Sequence, residues 1–373
     1  MVRDAVIVAG GGIIGLACAF ECRLRGFDVT VVEKGRCGGQ ASGAAAGMLA
    51  PFSENPDQPD AFFELCRDSL TMYEEWLAKV RDYSAIDAEF VRSGSLNVVT
   101  CEADIQPMIR RMRWQRKAGA RAEWLEPHDL RRLEPALAEE VMGALYYPDE
   151  AHVYAPIYVE TLEEACRKAG VTVIEGCGAV ELREWQEGIV LKGDGFETLY
   201  GERLVIATGA WSAEWQHLFD VHWPVYPIRG QICAYPSVFG EIRHIVYSSQ
   251  GYVVGKRNDT LVCGASEDVA GFDTSVTERG IGRLIRWSGR LIPALKGREI
   301  CLKWAGLRPA TQDGFPVLGP VKPAPRVICA FGHYRNGILL SPATAKLVGD
   351  WAEGRETVPY AEAFDPMRFT YDY

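Results

Sequence analysis

Three groups of residues in this sequence have types and spacings that could do chemistry. Gly10, Gly12 and Gly15 stand at G-x-G-x-x-G spacing directly behind the apolar run Ala5-Val-Ile-Val-Ala9. In that pattern the first glycine makes a tight turn, the second lets a pyrophosphate approach the backbone, and the third packs a helix closely. A helix beginning there aims free N–H groups at phosphate. Glu33, 23 residues after Gly10 and at the end of the β-branched run Val29-Thr-Val-Val32, is the acid expected to accept hydrogen bonds from a ribose. The second group is Arg308, which ends the apolar stretch Trp304-Ala-Gly-Leu307. A guanidinium there is costly unless it meets an anion, and a carboxylate held by two hydrogen bonds is the natural partner, with a structural salt bridge as the alternative. Tyr252, expected on a facing strand pair, offers a hydroxyl to the same carboxylate or simply fills a core. The third group is Gly332-His-Tyr-Arg-Asn-Gly337, a glycine turn that sets Arg335 before a helix N-terminus, where a ring edge or a substrate would be held.

Composition narrows what these groups can serve. A chain of 373 residues, 48% hydrophobic and 24% charged, can bury a large core in two or three domains. Its net charge of −10, without a long basic run, opposes binding to nucleic acid. The eleven cysteines stand singly, with no CxxC and no His-Cys cluster at metal spacing, so reduced thiols in a cytoplasm and no metal are expected. Arg3 ahead of the apolar run from Ala5 to Phe20 could imitate a signal peptide, but the glycines and the strand with its terminal acid favour the nucleotide reading. No run reaches the roughly 18 apolar residues of a membrane span.

The elements that must position these residues follow in order. After the first strand, helix and strand comes a small-residue segment from Cys37 to Met48, whose backbone is suited to lie against something flat or charged. Residues 61 to 82 form an amphipathic helix, and a helix from about 105 to 117 carries five arginines and lysines on a solvated face. Nothing between 84 and 145 points to chemistry. Pro156 opens a helix that Gly170 closes, a strand follows at 171–174, and 188–200 reads as a hairpin. The apolar strand at 204–207 opens into a glycine turn and belongs with the first unit. From 221 to 320 the pattern becomes alternating strands, with a hairpin at Asn258-Asp259. A last apolar strand at 326–330 leads to a helix from about 341 to 352. The expected class is α/β with an α+β insert: a Rossmann-like domain from 1–83, 146–220 and 325–373, and a mostly antiparallel sheet domain from 84–145 and 221–324, with the site between them.

The segments Val8–Gly15, Ser42–Leu49, Ala207–Ser212, Trp304–Pro309 and Gly332–Leu339 together resemble the D-amino-acid oxidase family of FAD-dependent amine oxidases, and within it the bacterial glycine oxidases of thiazole synthesis. The resemblance spans nearly the whole chain. It implies FAD as cofactor, contacted by Gly10, Gly12, Ile13, Ile14, Gly15, Glu33 and Lys34. It adds Ala41, Ser42, Ala46, Gly47 and Met48 from the small-residue segment, and Ala179, Gly209 and Trp211 from the middle of the chain. The turn His333, Tyr334, Arg335, Asn336, Gly337, Ile338 and Leu339 would lie on the isoalloxazine. Substrate would meet Arg308, Tyr252, Arg335 and Met48. The implied reaction is oxidative deamination of glycine, sarcosine or D-alanine by hydride transfer, with oxygen as acceptor and hydrogen peroxide as product. A homotetramer is also implied.

Two departures bear on substrate choice: Gln250 stands where the glycine oxidases carry histidine, and Glu267 where they carry methionine. A carboxylate near the pocket would disfavour acidic substrates and favour a second amine. The segment 304–309 has no cysteine, so FAD is expected without a covalent bond. Two other readings stand beside the oxidase: a flavin dehydrogenase of D-amino or 2-hydroxy acids that passes electrons to a quinone, and a nucleotide-binding redox sensor without turnover.

Overall fold

The computed structural model describes residues 4–369 apart from 56, 58, 238 and 239; Arg3 therefore lies outside the described residues. The glycine turn sits at the end of β1 (Ala5–Ala9) and before α1 (Ile13–Leu24), which leads to β2 (Asp28–Val32). β1 is an interior strand of a six-stranded sheet ordered Val317–Val321, Ala324–Phe331, Arg203–Ile206, β1, β2, Thr172–Ile174. The last five run parallel in that order, and Val317–Val321 pairs antiparallel with its neighbour. Strands covered on both faces read as continuous apolar runs, which is why Val6, Ile7, Val8 and Ala9 are all buried. α1 packs against the helices Ala155–Ala169 and Gly337–Ala352. Its Cys18 and Cys22 are fully buried, and burial pushes the Cys22 thiol up to about 12, so both act as small apolar residues. All eleven cysteines are free.

The second sheet has eight strands, ordered Leu302–Thr311, Val225–Pro236, Thr260–Gly264, Gly251–Lys256, Ile245–Ser248, Ser95–Val99, Gly143–Tyr147, Glu123–Leu125. Three of them carry the site: β3 (Val225–Pro236), β4 (Gly251–Lys256) and β5 (Leu302–Thr311). All its pairings are antiparallel except that of Ile245–Ser248 with Ser95–Val99. The expected hairpin at Asn258-Asp259 joins β4 to Thr260–Gly264, with Asp259 at a left-handed φ of 58°. β3 and β5 pair along ten positions, from Val225 opposite Thr311 to Ala234 opposite Leu302, which sets Ile228 opposite Arg308 and Gly230 opposite Gly306.

Three elements depart from the sequence expectation. Val317–Val321, expected in the inserted domain, belongs to the first sheet because it pairs with Ala324–Phe331. Arg111, expected on a solvated face, turns inward and donates to the carbonyls of Phe52 and Ser53, the latter at 2.7 Å. The last helix, α2 (Gly337–Ala352), starts four residues before the expected Ser341 and holds Pro342 inside it. Proline there removes the bond to the carbonyl of Ile338. The Tyr73 hydroxyl and the Ser341 hydroxyl both donate to that carbonyl at 2.9 Å, and Ser69 Oγ donates to the Leu339 carbonyl at 2.6 Å. The helix Ala61–Arg81 thus replaces the hydrogen bonding that proline interrupts, and α2 begins at the turn that holds Arg335.

Among the described residues no helix is long and apolar enough to cross a membrane.

Candidate active site

A cavity of about 1020 Å³ runs from the β1–α1 turn to the face of the second sheet. At the first end Gly10 has φ of 110°, and a side chain on it would meet the Ala207 carbonyl oxygen at 2.4 Å. A Cβ on Gly15 would lie 1.9 Å from the Gly10 oxygen, so the third glycine brings the helix against the turn. Ser42 Oγ accepts a hydrogen bond from Ile13 N at 2.9 Å and caps the first turn of α1. Glu33 accepts from Gly11 N through Oε2 and from Gly35 N through Oε1, each at 2.8 Å, which fixes its carboxylate on the cavity wall. No acidic side chain lies in the first turn of α1 to compete with an anion there.

The small-residue segment makes the middle of the wall. A Cβ on Gly306 of β5 would lie 2.5 Å from the Ala44 Cβ, and Trp304 Nε1 donates to the Ala44 carbonyl at 2.9 Å. Only small residues permit this approach, and it brings Ala41, Ser42, Ala46, Gly47 and Met48 onto the cavity beside the second sheet.

At the far end, Arg308 from β5, Tyr252 from β4 and Arg335 from the turn before α2 line one region. The Arg308 guanidinium lies over Gly230 of β3, where a Cβ would stand 2.5 Å from its Cζ and both Nη atoms. Arg308 Nη1 donates to the Ser266 carbonyl at 3.0 Å, and no ion pair holds Arg308 among the described residues. Arg335 is engaged differently: Nε meets Glu54 Oε2 at 2.9 Å, Nη2 meets Glu54 Oε1 at 3.2 Å, and Nη1 meets Glu267 Oε1 at 2.8 Å. The Glu54 side chain is 10% exposed and that of Glu267 49%. Burial pushes the Tyr252 hydroxyl up to about 12, although Arg308 and Arg335 pull the other way, so it stays protonated and is able to donate. His333 is buried, its pKa lowered to about 3 by desolvation, and its Nε2 lies 3.0 Å from Thr344 Oγ1. Among the described residues the buried Tyr247 hydroxyl has no hydrogen-bond partner, and its ring stands edge-on to Tyr252.

Most residues singled out in the sequence therefore converge. Lys34, Ala179, Gly209, Trp211, Tyr334, Gly337 and Ile338 also line the cavity. Gly15, Asn336 and Leu339 do not: Gly15 packs on the turn, Asn336 is the N-cap residue of α2, and Leu339 is buried behind the wall. Gln250 is exposed and off the cavity, and Glu267, also off the cavity wall, reaches it through Arg335 and Tyr334. Sequence reasoning missed Gly230 and Glu54. A glycine inside a strand is a sign of close approach, so Gly230 had a signal; Glu54 had none.

The positive φ at Gly10, the capped N-terminus of α1, the fixed Glu33 and the length of the cavity fit a dinucleotide, and Arg308, without an acidic partner among the described residues, fits a small acid. The fold and site thus define a dinucleotide-dependent enzyme. Residues 5–351 match the FAD dependent oxidoreductase family, and the chain belongs to that family, with FAD as its cofactor. It is 34% identical over 371 residues to a glycine oxidase of Geobacillus kaustophilus, covering 99% of this chain and 96% of the relative. It is also 34% identical to a bifunctional ThiO/ThiG protein of Trichormus variabilis, covering 99% of this chain and 55% of that longer protein. The crystal structure of glycine oxidase from Geobacillus kaustophilus superposes with a TM-score of 0.93 over 99% of both chains at 33% identity.

Proposed function

We propose that this chain oxidises glycine and other small amino acids, such as sarcosine and D-alanine, as an FAD-dependent amine oxidase. The observation that carries the reading is Arg308, a cavity cation hydrogen-bonded to the Ser266 carbonyl and without an acidic partner among the described residues. A substrate carboxylate supplies the missing anion, and two parallel N–H···O bonds fix its orientation. Tyr252, protonated, donates a further hydrogen bond. Gly10, Gly12, Ile13, Ile14 and Glu33 hold the ADP half of FAD, and Met48 with the 333–338 turn encloses the ring and substrate.

FAD, when bound, accepts the two electrons that leave with the α-hydrogen of the substrate and passes them to oxygen. The protein orients the neutral amine and excludes water. His333 does not serve as base: burial lowers its pKa to about 3, and its Nε2 lies 3.0 Å from Thr344 Oγ1. Glycine, oxygen and water become glyoxylate, ammonia and hydrogen peroxide. The similarity to glycine oxidases and to ThiO/ThiG supports both the substrate and a role in thiamine thiazole synthesis. Non-covalent FAD, a homotetramer and a cytoplasmic setting belong to the same reading.

The test is a substrate panel in air, followed by peroxide release. Peroxide with glycine supports the oxidase, and reduction of an artificial dye without peroxide replaces it by a quinone-linked dehydrogenase. Arg308→Ala should raise the KM for the amino acid more than about tenfold, since a charged bidentate contact is worth about 1.5–3 kcal/mol.

A further inference from the structure

The substrate end of the cavity holds two arginines in different states. Arg308 has no carboxylate partner among the described residues. Arg335 has three of its donor nitrogens taken by two carboxylates: Glu54 in bidentate fashion and Glu267 at 2.8 Å. Glu54 comes from the short helix Pro51–Glu54, and Glu267 from the loop after Thr260–Gly264, so the clamp joins segments distant in sequence around the turn before α2. The Tyr334 hydroxyl also bonds Glu267 and fixes it against that turn. Arg335 holds the Glu267 carboxyl below its ordinary range, with Arg308 adding to the effect, so Glu267 is ionised at neutral pH. Two arginines and two carboxylates therefore sum to zero charge before substrate enters.

We infer that Glu267 makes the site selective for amino acids with a single carboxylate, by occupying the Arg335 donor that a second substrate carboxylate would need. The inference rests on the assignment of Arg308 to the first carboxylate. Once Arg308 has bound that group, a second carboxylate finds Arg335 engaged and meets Glu54 and Glu267 as like charges, an arrangement that opposes binding. Glu267 is a positioning residue: it acts through Arg335 and lies off the cavity wall. The excluded class is small N-carboxymethyl amino acids and other short dicarboxylates. Glycine, sarcosine and D-alanine carry no such group and are unaffected.

The experiment compares two non-reacting acids on the FAD-loaded protein, read from the perturbation of flavin absorbance on titration. Methoxyacetate carries one carboxylate. Diglycolate has the same ether skeleton with a second. The unaltered protein should bind methoxyacetate at least about tenfold more tightly than diglycolate. In Glu267→Gln, which keeps the shape of the side chain, that ratio should fall by about tenfold or more, because a neutral amide oxygen holds Arg335 Nη1 more weakly than the carboxylate does and the site gains a net positive charge. Glu267→Met, which removes the charge without a polar replacement, should move the ratio in the same direction, and Glu267→Asp should restore the preference. A ratio equal in the unaltered protein and in Glu267→Gln overturns the inference while leaving the Arg308 site intact. Absence of methoxyacetate binding to the unaltered protein overturns the Arg308 assignment, and the inference with it.

Discussion

Gly230→Ala isolates the geometry of the carboxylate site without touching its chemistry. The added methyl would stand 2.5 Å from Cζ, Nη1 and Nη2 of Arg308. Ordinary contact needs roughly 1 Å more, and β3 is locked to β5 by a continuous ladder, so the guanidinium must move rather than the strand. Moving it breaks the 3.0 Å bond from Nη1 to the Ser266 carbonyl and turns the fork away from the substrate. The loss is bounded by the worth of a charged bidentate contact, about 1.5–3 kcal/mol, which corresponds to roughly tenfold to hundredfold in kcat/KM. A misplacement of about 1 Å at an orienting group has effects of this size. Stability should change little: Gly230 is not in the left-handed region, and the clash is with the far end of a flexible side chain. The assay is steady-state peroxide release with glycine and sarcosine, beside a thermal melt of the FAD-loaded protein. A kcat/KM within about twofold of the unaltered enzyme, with an unchanged melt, would refute the idea that Arg308 reads the carboxylate from over Gly230.

Other perturbations test other parts of the site. Gly10→Ala should abolish FAD retention, because the residue has φ of 110° and its Cβ would meet the Ala207 oxygen at 2.4 Å; purified variant with a full flavin spectrum would contradict the turn's role. Tyr252→Phe should raise KM by a factor of about two to ten, the worth of one hydrogen bond, and should leave FAD content as it was. Glu150, fully buried, accepts hydrogen bonds from Phe52 N and Ser53 N at the start of the helix that carries Glu54, and burial lifts its pKa from 4.5 to about 7. Its folded pKa lies above the unfolded value, so its contribution is full below about pH 4.5 and is lost as pH rises through about 7, a change of about 3 kcal/mol. Thermal melts from pH 5 to 7.5 should therefore show a less negative slope in Glu150→Gln than in the unaltered protein, and equal slopes would remove Glu150 as the source.

What the sequence made legible was local chemistry. The glycine turn, α1, β2 and Glu33 lie within one stretch of chain, so their spacing alone specifies the phosphate end of the cavity. Arg308 stood out because a cation closing an apolar strand demands a partner. The glycine beneath it carries only the general signal of a strand glycine, since which side chain it admits depends on the ladder that sets Gly230 opposite Gly306 and Ile228 opposite Arg308. Glu54 carries no local signal at all, because it meets Arg335 across 281 residues of sequence. Glu267 was marked as a departure near the pocket, yet its effect is indirect, through a guanidinium it shares with Glu54. The start of α2 lies before the expected Ser341 because a proline inside a helix is tolerated here: hydroxyls of Tyr73 and Ser341 donate to the Ile338 carbonyl that Pro342 leaves unbonded.

The most direct test of the account is anaerobic mixing of the FAD-loaded protein with glycine, followed by admission of air. Glycine should bleach the flavin absorbance, and air should restore it with equal amounts of glyoxylate and hydrogen peroxide. Flavin that stays oxidised under glycine, sarcosine and D-alanine alike would contradict it.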